Sequence, residues 1–185
     1  MSQLRIVANH NSKNNLNSLK EVQIINPYKT IHTDIIKQSV IMFLSEVLSN
    51  SIQEEEQNLA LYEYLEAALV WLDVHDKIAN FHLLFLLNLT SFLGFYPDTS
   101  ESHKNGFNLL EGSFSDNSLD KNVIFNNDFH QFKKLIGMVF DDIENVSYNK
   151  EERQLVLQVI IQYFKLHLGS FRSPKSLQVL ETVFS

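Results

Sequence analysis

Residues 59–97, LALYEYLEAALVWLDVHDKIANFHLLFLLNLTSFLGFYP, carry a higher density of apolar side chains than any other part of the chain. Their spacing predicts two long helices joined near Asp76. In the first, Leu59, Tyr62, Leu65, Leu69 and Leu72 recur at steps of three or four. Leu61, Tyr64, Ala68 and Trp71 widen that stripe, and Glu63, Glu66 and Asp73 are left for solvent. The second helix, over residues 78–93, is apolar on nearly every side, as a helix at the centre of a bundle must be. Gly94 should end it in the left-handed conformation that side chains with a Cβ resist, with Pro97 barring continuation.

A membrane span is the alternative, because no charged residue lies between Lys77 and Asp98, and a bilayer needs roughly 20 apolar residues. Against it, Asn80, Asn88 and Ser91 fall within one quadrant of the helix, and His82 and Thr90 interrupt it further. That polar seam suits water or a neighbouring helix, and no basic cluster flanks the segment to orient it in a membrane.

Ahead of this pair, residues 4–7 and 19–25 read as strands that pair as a hairpin across HNSKNNLNS, whose Asn and Ser residues favour turns. Thr33 is the expected N-cap of a helix over residues 34–52 that buries Ile36, Val40, Phe43, Leu44, Val47 and Leu48. Residues 97–127, rich in Asn, Ser, Asp and Gly, predict an irregular, mobile excursion with apolar islands at 107–110 and 123–125, either of which can form a short strand. Asp128 is the expected cap of a short helix ending near Gly137. Asn149 and Glu152 stand in capping-box spacing before a long amphipathic helix closed by Gly169. Ser173-Pro174 opens a last helix with Leu177, Leu180 and Phe184 on one face. The fold class is therefore mainly α, a bundle of about six helices with a short N-terminal β-hairpin.

Charge is unevenly placed. The net charge is -7, and residues 46–76 hold Glu46, Glu54, Glu55, Glu56, Glu63, Glu66, Asp73 and Asp76 with no base, so a polyanion is tolerated only at the chain's ends. Glu54-Glu55-Glu56 reads as a solvated first helical turn. Zero cysteines exclude disulfides and thiolate metal sites, which fits a reducing cytoplasm, and MSQLRIVANHNSK lacks the apolar run of a signal peptide. Five scattered glycines form no phosphate-binding loop, the histidines show no H-E-x-x-H spacing, and no G-x-S-x-G elbow is present. Asp141-Asp142 with Glu144 lacks the glycine and terminal glutamate of a calcium loop and reads as a solvated turn.

Three segments, LSEVLSNSIQEEEQN, NFHLLFLLNLTSFLGFYPD and YFKLHLGSFRSPKSLQVL, resemble in order and spacing the C-terminal helical region of the RecO family of recombination mediators, in particular its cysteine-free type. LGFYP followed by HLGSFRSPKS is the most specific combination. LRIVANHNSKNNLNSLKEVQIINPY looks like the end of that family's N-terminal OB-fold barrel. The resemblance implies a remnant of the barrel at residues 1–26 and a helical domain at 27–185. A complete barrel needs five strands and only two fit before Asn26, so most of the DNA-contacting part is expected to be absent. The four-cysteine zinc module of many relatives does not carry over, because residues 98–125 contain none of its cysteines.

What the resemblance implies is a non-enzymatic role in DNA repair and homologous recombination, with no cofactor. Its partners would be single-stranded-DNA-binding protein through its acidic C-terminal tail, RecR, and single- and double-stranded DNA held weakly. Such a tail needs an apolar groove and a basic rim. The C-terminal hairpin offers Tyr163, Phe164, Leu168, Phe171 and Leu177 for the groove and Arg153, Lys165, Arg172 and Lys175 for the rim. Arg172 and Lys175, in a turn beside a helix N-terminus, are the preferred pair; the competing reading makes the aromatics core and the bases merely solvated. Arg5, Lys13, Lys20 and Lys29 are the DNA-contacting candidates. Two other classes remain open at this stage. One is a free-standing helical interaction module, and the other is a small-molecule-binding enzyme using Asn80, His82, Asn88 and Ser91.

Overall fold

The computed structural model describes residues 1–9, 18–52 and 57–184. Lys13, the hairpin turn and Glu54-Glu55-Glu56 lie outside the described residues. Strands β1 (Gln3–Asn9) and β2 (Ser18–Asn26) pair antiparallel. Helices α1 (Ile35–Ser51), α2 (Leu59–Val74) and α3 (Phe81–Phe92) follow. Next come the two-residue strands β3 (Phe107–Asn108), β4 (Ser113–Phe114) and β5 (Val123–Ile124), then α4 (Asn126–Lys133), a 3-10 helix (Phe140–Asn145), α5 (Lys150–His167) and α6 (Leu177–Val183).

Helix α3 is the axis of the bundle. Residues 81–87 are all buried, and α2, α5 and the 3-10 helix pack around them. Such a helix can satisfy its surroundings only with apolar neighbours, which α2 supplies through Leu61, Ala68, Leu69, Trp71 and Leu72. Gly94 follows the last turn at φ +84°, as its lack of a Cβ allows.

Several local expectations shift. Leu59 and Tyr62 face solvent, because α2 carries two overlapping apolar stripes and contact with α3 selects the one through Leu61 and Ala68. Asp73 is buried instead of solvated: its carboxylate accepts from the backbone amides of Lys29 (2.9 Å), Thr30 (2.8 Å) and Ile31 (3.0 Å), fastening the β2–α1 linker onto the end of α2. The cap of α1 is Asp34, which accepts from the amides of Ile36 and Lys37, whereas the Thr33 hydroxyl turns back toward the carbonyls of Lys29 and Thr30. Ile36 is exposed accordingly. Asp128 sits inside the first turn of α4, whose N-cap position belongs to Phe125. The capping box of Asn149 and Glu152 forms as its spacing predicts.

Residues 97–127, expected to be an irregular excursion, carry three two-residue strands. β3 pairs with both β4 and β5, and Phe107, Leu109 and Phe114 are buried. Phe107 packs on Phe132 at 5.2 Å and Phe114 on Phe129 at 5.9 Å, so α4 forms the floor of this small sheet. Asn108 donates to Asp120 (2.9 Å) and the Asn105 amide to Asp116 (2.8 Å), which closes the polar turns.

Candidate anion and partner pocket

Arg153 lies in the first turn of α5, set there by the capping box. Its Nε donates to Oδ1 of Asn80 (3.0 Å) and Nη2 to the carbonyl of Tyr148 (3.1 Å), while the guanidinium stands 5.7 Å over the ring of Phe184. Asn80 donates in turn to the carbonyl of Val146 (2.7 Å), so the residue that precedes α3 ties three segments together instead of capping its own helix. Among the described residues no carboxylate lies within ion-pair distance of Arg153. The adjacent Glu152 is occupied, accepting from the Asn149 amide (2.9 Å) and from Gln131 (3.0 Å). Burial depresses the Arg153 pKa, yet an arginine stays charged, so a half-buried cation faces this pocket without a counter-ion.

The pocket encloses about 500 Å³. Ile36, Ile78, Ile143 and Phe184 give it an apolar wall, and Lys77, 3.9 Å from Glu144, sits with Asp76 on the rim. Behind Phe184 lies His82, 1% exposed, stacked on that ring at 5.2 Å and 15° and meeting Phe43 edge-on. Burial, reinforced by the positive charge of Arg153, lowers its pKa from 6.5 to about 3, so the imidazole is neutral. Its Nδ1 is buried without a hydrogen-bond partner.

The expected tail-binding residues separate into three groups. Tyr163 and Phe164 are fully buried and Phe171 nearly so, with the Tyr163 hydroxyl donating to the carbonyl of Phe95 (2.6 Å). Tyr163 and Phe164 lie on the face of α5 that packs toward α3 and α4, and Phe171 packs on the Phe164 ring at 5.3 Å. Arg172 and Lys175 share a cleft of about 350 Å³ with Glu46 and Asn50, and Leu168 lines a second cleft of about 280 Å³ with Asn50, Leu61 and Phe92. The amide of Ser176 there already donates to the carboxylate of Glu46 (3.1 Å), so an internal anion fills the place proposed for an external one. Lys165 is exposed and Leu177 half-buried. Arg153 is about 22 Å along α5 from Leu168, at 1.5 Å per residue, and lines a different pocket.

Of the other candidates, Arg5, Lys20 and Lys29 are exposed, the first two on the hairpin. Asn80 and His82 approach Arg153, whereas Asn88 and Ser91 lie toward the other end of α3, the Ser91 hydroxyl bonded to the Asn88 carbonyl (2.9 Å). The four do not form one polar pocket. Tyr148 and Phe184, both lining the Arg153 pocket, carry no binding signal in the sequence: Phe184 reads only as part of the apolar face of the last helix, and Tyr148 stands directly before the Asn149 cap. Among the described residues no three His, Cys, Asp or Glu side chains gather as metal ligands, and no helix is long and apolar enough to cross a membrane.

A family model described as "Recombination protein O C terminal" matches residues 32–178. The DNA repair protein RecO of Flavobacterium psychrophilum is 45% identical over 98% of this chain and 76% of its own length. That of Christiangramia forsetii is 43% identical over 100% and 77%, and that of Bacteroides fragilis 33% over 96% and 75%. The chain belongs to the RecO family. Its role therefore lies in DNA repair and recombination, as the resemblance of LGFYP and HLGSFRSPKS implied. The matched region includes Asn80, Tyr148 and Arg153, and leaves out the hairpin and Phe184. No solved structure matches the chain.

Proposed function

We propose that this chain is a non-enzymatic, cytoplasmic recombination mediator whose helical domain captures the acidic C-terminal tail of single-stranded-DNA-binding protein in the Arg153 pocket. The observation that carries the reading is a half-buried arginine with no carboxylate partner among the described residues, set against an apolar wall. A tail of this kind brings a carboxylate for the Arg153 guanidinium and an apolar end for the wall. RecR and DNA are the further partners the family implies. DNA is held weakly, through Arg5, Lys20 and Lys29, because the net charge is -7. The hairpin is read as two strands of an OB-fold barrel, which accounts for apolar residues exposed on both of its faces.

Fluorescence anisotropy with a labelled tail peptide tests the site. Arg153→Gln should weaken binding by roughly 2 kcal/mol, the value of one charge-assisted contact, and Arg153→Lys by less. The wild-type affinity should fall between low and moderate salt. Unchanged binding by Arg153→Gln, with loss instead in an Arg172→Glu, Lys175→Glu double variant, would move the site to the C-terminal turn.

A further inference from the structure

Phe184 stands between two spaces. On one side is the open pocket of about 500 Å³, on the other a small void bounded by His82, Leu157 and Leu180, and Arg153 and Phe184 belong to the walls of both. The ring fills the gap by lying flat on the imidazole under the guanidinium. This closed arrangement leaves the buried Nδ1 of His82 unpartnered, a cost that opening to water or to a ligand removes. Its attachment also favours movement. Helix α6 has seven residues and is anchored by the fully buried Leu180, whereas Phe184 follows the last turn, is only half-buried, and is held to the helix by its backbone N–H, which donates to the carbonyls of Leu180 (3.2 Å) and Thr182. The final turn can unwind past Leu180 without releasing that anchor.

We propose that Phe184 is a gate in the wall of the Arg153 pocket, its ring covering the place beside His82 that the apolar end of an acidic peptide takes, so that binding requires the ring to leave His82. The inference rests on reading Arg153 as the carboxylate receptor. A gated site lowers apparent affinity by the fraction of open molecules: a pocket open one time in ten binds about tenfold more weakly than one without the ring.

The experiment uses the 185-residue chain and a short fluorescein-labelled peptide of aspartates ending in phenylalanine. Phe184→Ala should tighten binding at least threefold, with Arg153→Gln still weakening it in that background, and the smaller change Phe184→Leu, which keeps an apolar contact in the fold, should tighten it less. In the wild-type protein saturated with peptide, the nuclear Overhauser contact between the Phe184 ring and the His82 imidazole should disappear. A contact that persists at saturation, or binding unchanged or weakened in both Phe184 variants, overturns the proposal; if Arg153→Gln still lowers wild-type affinity, the receptor reading survives it. No binding by wild type or by either Phe184 variant overturns both.

Discussion

Asp73 ends α2 with its carboxylate turned inward, and three backbone amides converge on it. Burial alone would raise its pKa. The bonds from Lys29, Ile31 and Thr30 outweigh that and bring it down to about 2, so its stabilising charge is present above its ordinary 3.8 and lost as pH falls from there through 2. The ammonium of Lys37, 2% exposed, donates to the Thr30 hydroxyl (2.7 Å) and the Asp73 carbonyl (3.1 Å), closing the same knot from α1. Replacing Asp73 by Ala strands those amides and should cost roughly 2–4 kcal/mol in urea unfolding. His82 acts with the same sign at a different pH. Its folded pKa of about 3 lies below the ordinary 6.5, so the unfolded chain takes up a proton that the folded one refuses. Arg153, Lys150 and Glu181 line the same void, and the Arg153 charge opposes protonation further. Stability should therefore fall by about 1.4 kcal/mol per pH unit as pH drops from 6.5 toward 3. A His82→Leu variant should show a visibly flatter profile between pH 6 and 4; equal slopes for both proteins would contradict this account.

At the scale of elements, two glycines with similar backbones have different importance. Gly94 at φ +84° ends α3 in open space, so Gly94→Ala meets only the left-handed penalty of about 1 kcal/mol. Gly112, at φ +66°, precedes β4 where the Tyr163 hydroxyl approaches, and an added Cβ would come within 2.7 Å of that oxygen. It would also disturb the Tyr163 hydroxyl's hydrogen bond to the Phe95 carbonyl, which joins α5 to the segment after α3. Gly112→Ala should therefore cost roughly 2–4 kcal/mol, the conformational penalty plus a damaged buried hydrogen bond, and differential scanning calorimetry of the two variants should show the larger drop for Gly112. The three short strands lean on the packing of Phe107 and Phe114 against Phe132, Tyr163 and Phe129, since two-residue strands make too few ladder bonds to hold by themselves.

Across the whole molecule, the helical core and the N-terminal hairpin differ in what covers them. Leu4, Ile6, Val7, Leu19, Val22, Ile24 and Ile25 are 42–64% exposed, whereas residues 81–87 are buried without exception. A two-stranded ribbon with both faces in water is marginally stable. Its register also shifts twice, at Gln3/Leu4 and Val7/Ala8, as happens where no face is buried to enforce one pairing. Native-state hydrogen exchange should show β1 and β2 amides exchanging orders of magnitude faster than those of α3. Comparable protection in both regions would mean that something covers the hairpin in solution.

The helices were legible because their causes are local. The apolar density of residues 59–97, the Asn149–Glu152 capping box and the glycine after α3 each act within a few residues, and all three appear where their spacing puts them. What tertiary structure decided were choices between locally equivalent options. Two stripes on α2 were equally apolar until α3 covered one. Asp73 looked solvated until the linker laid three amides over it. Tyr163 and Phe164 read as a groove until the sheet at residues 107–124 and α4 closed over that face. Arg153 was grouped with Arg172 by nearness in sequence, yet α5 holds them apart and sets Arg153 beside Asn80 from α3 and Phe184 from the C-terminal segment. A site assembled from three segments has no local signature, because no part of it has the pocket's chemistry alone.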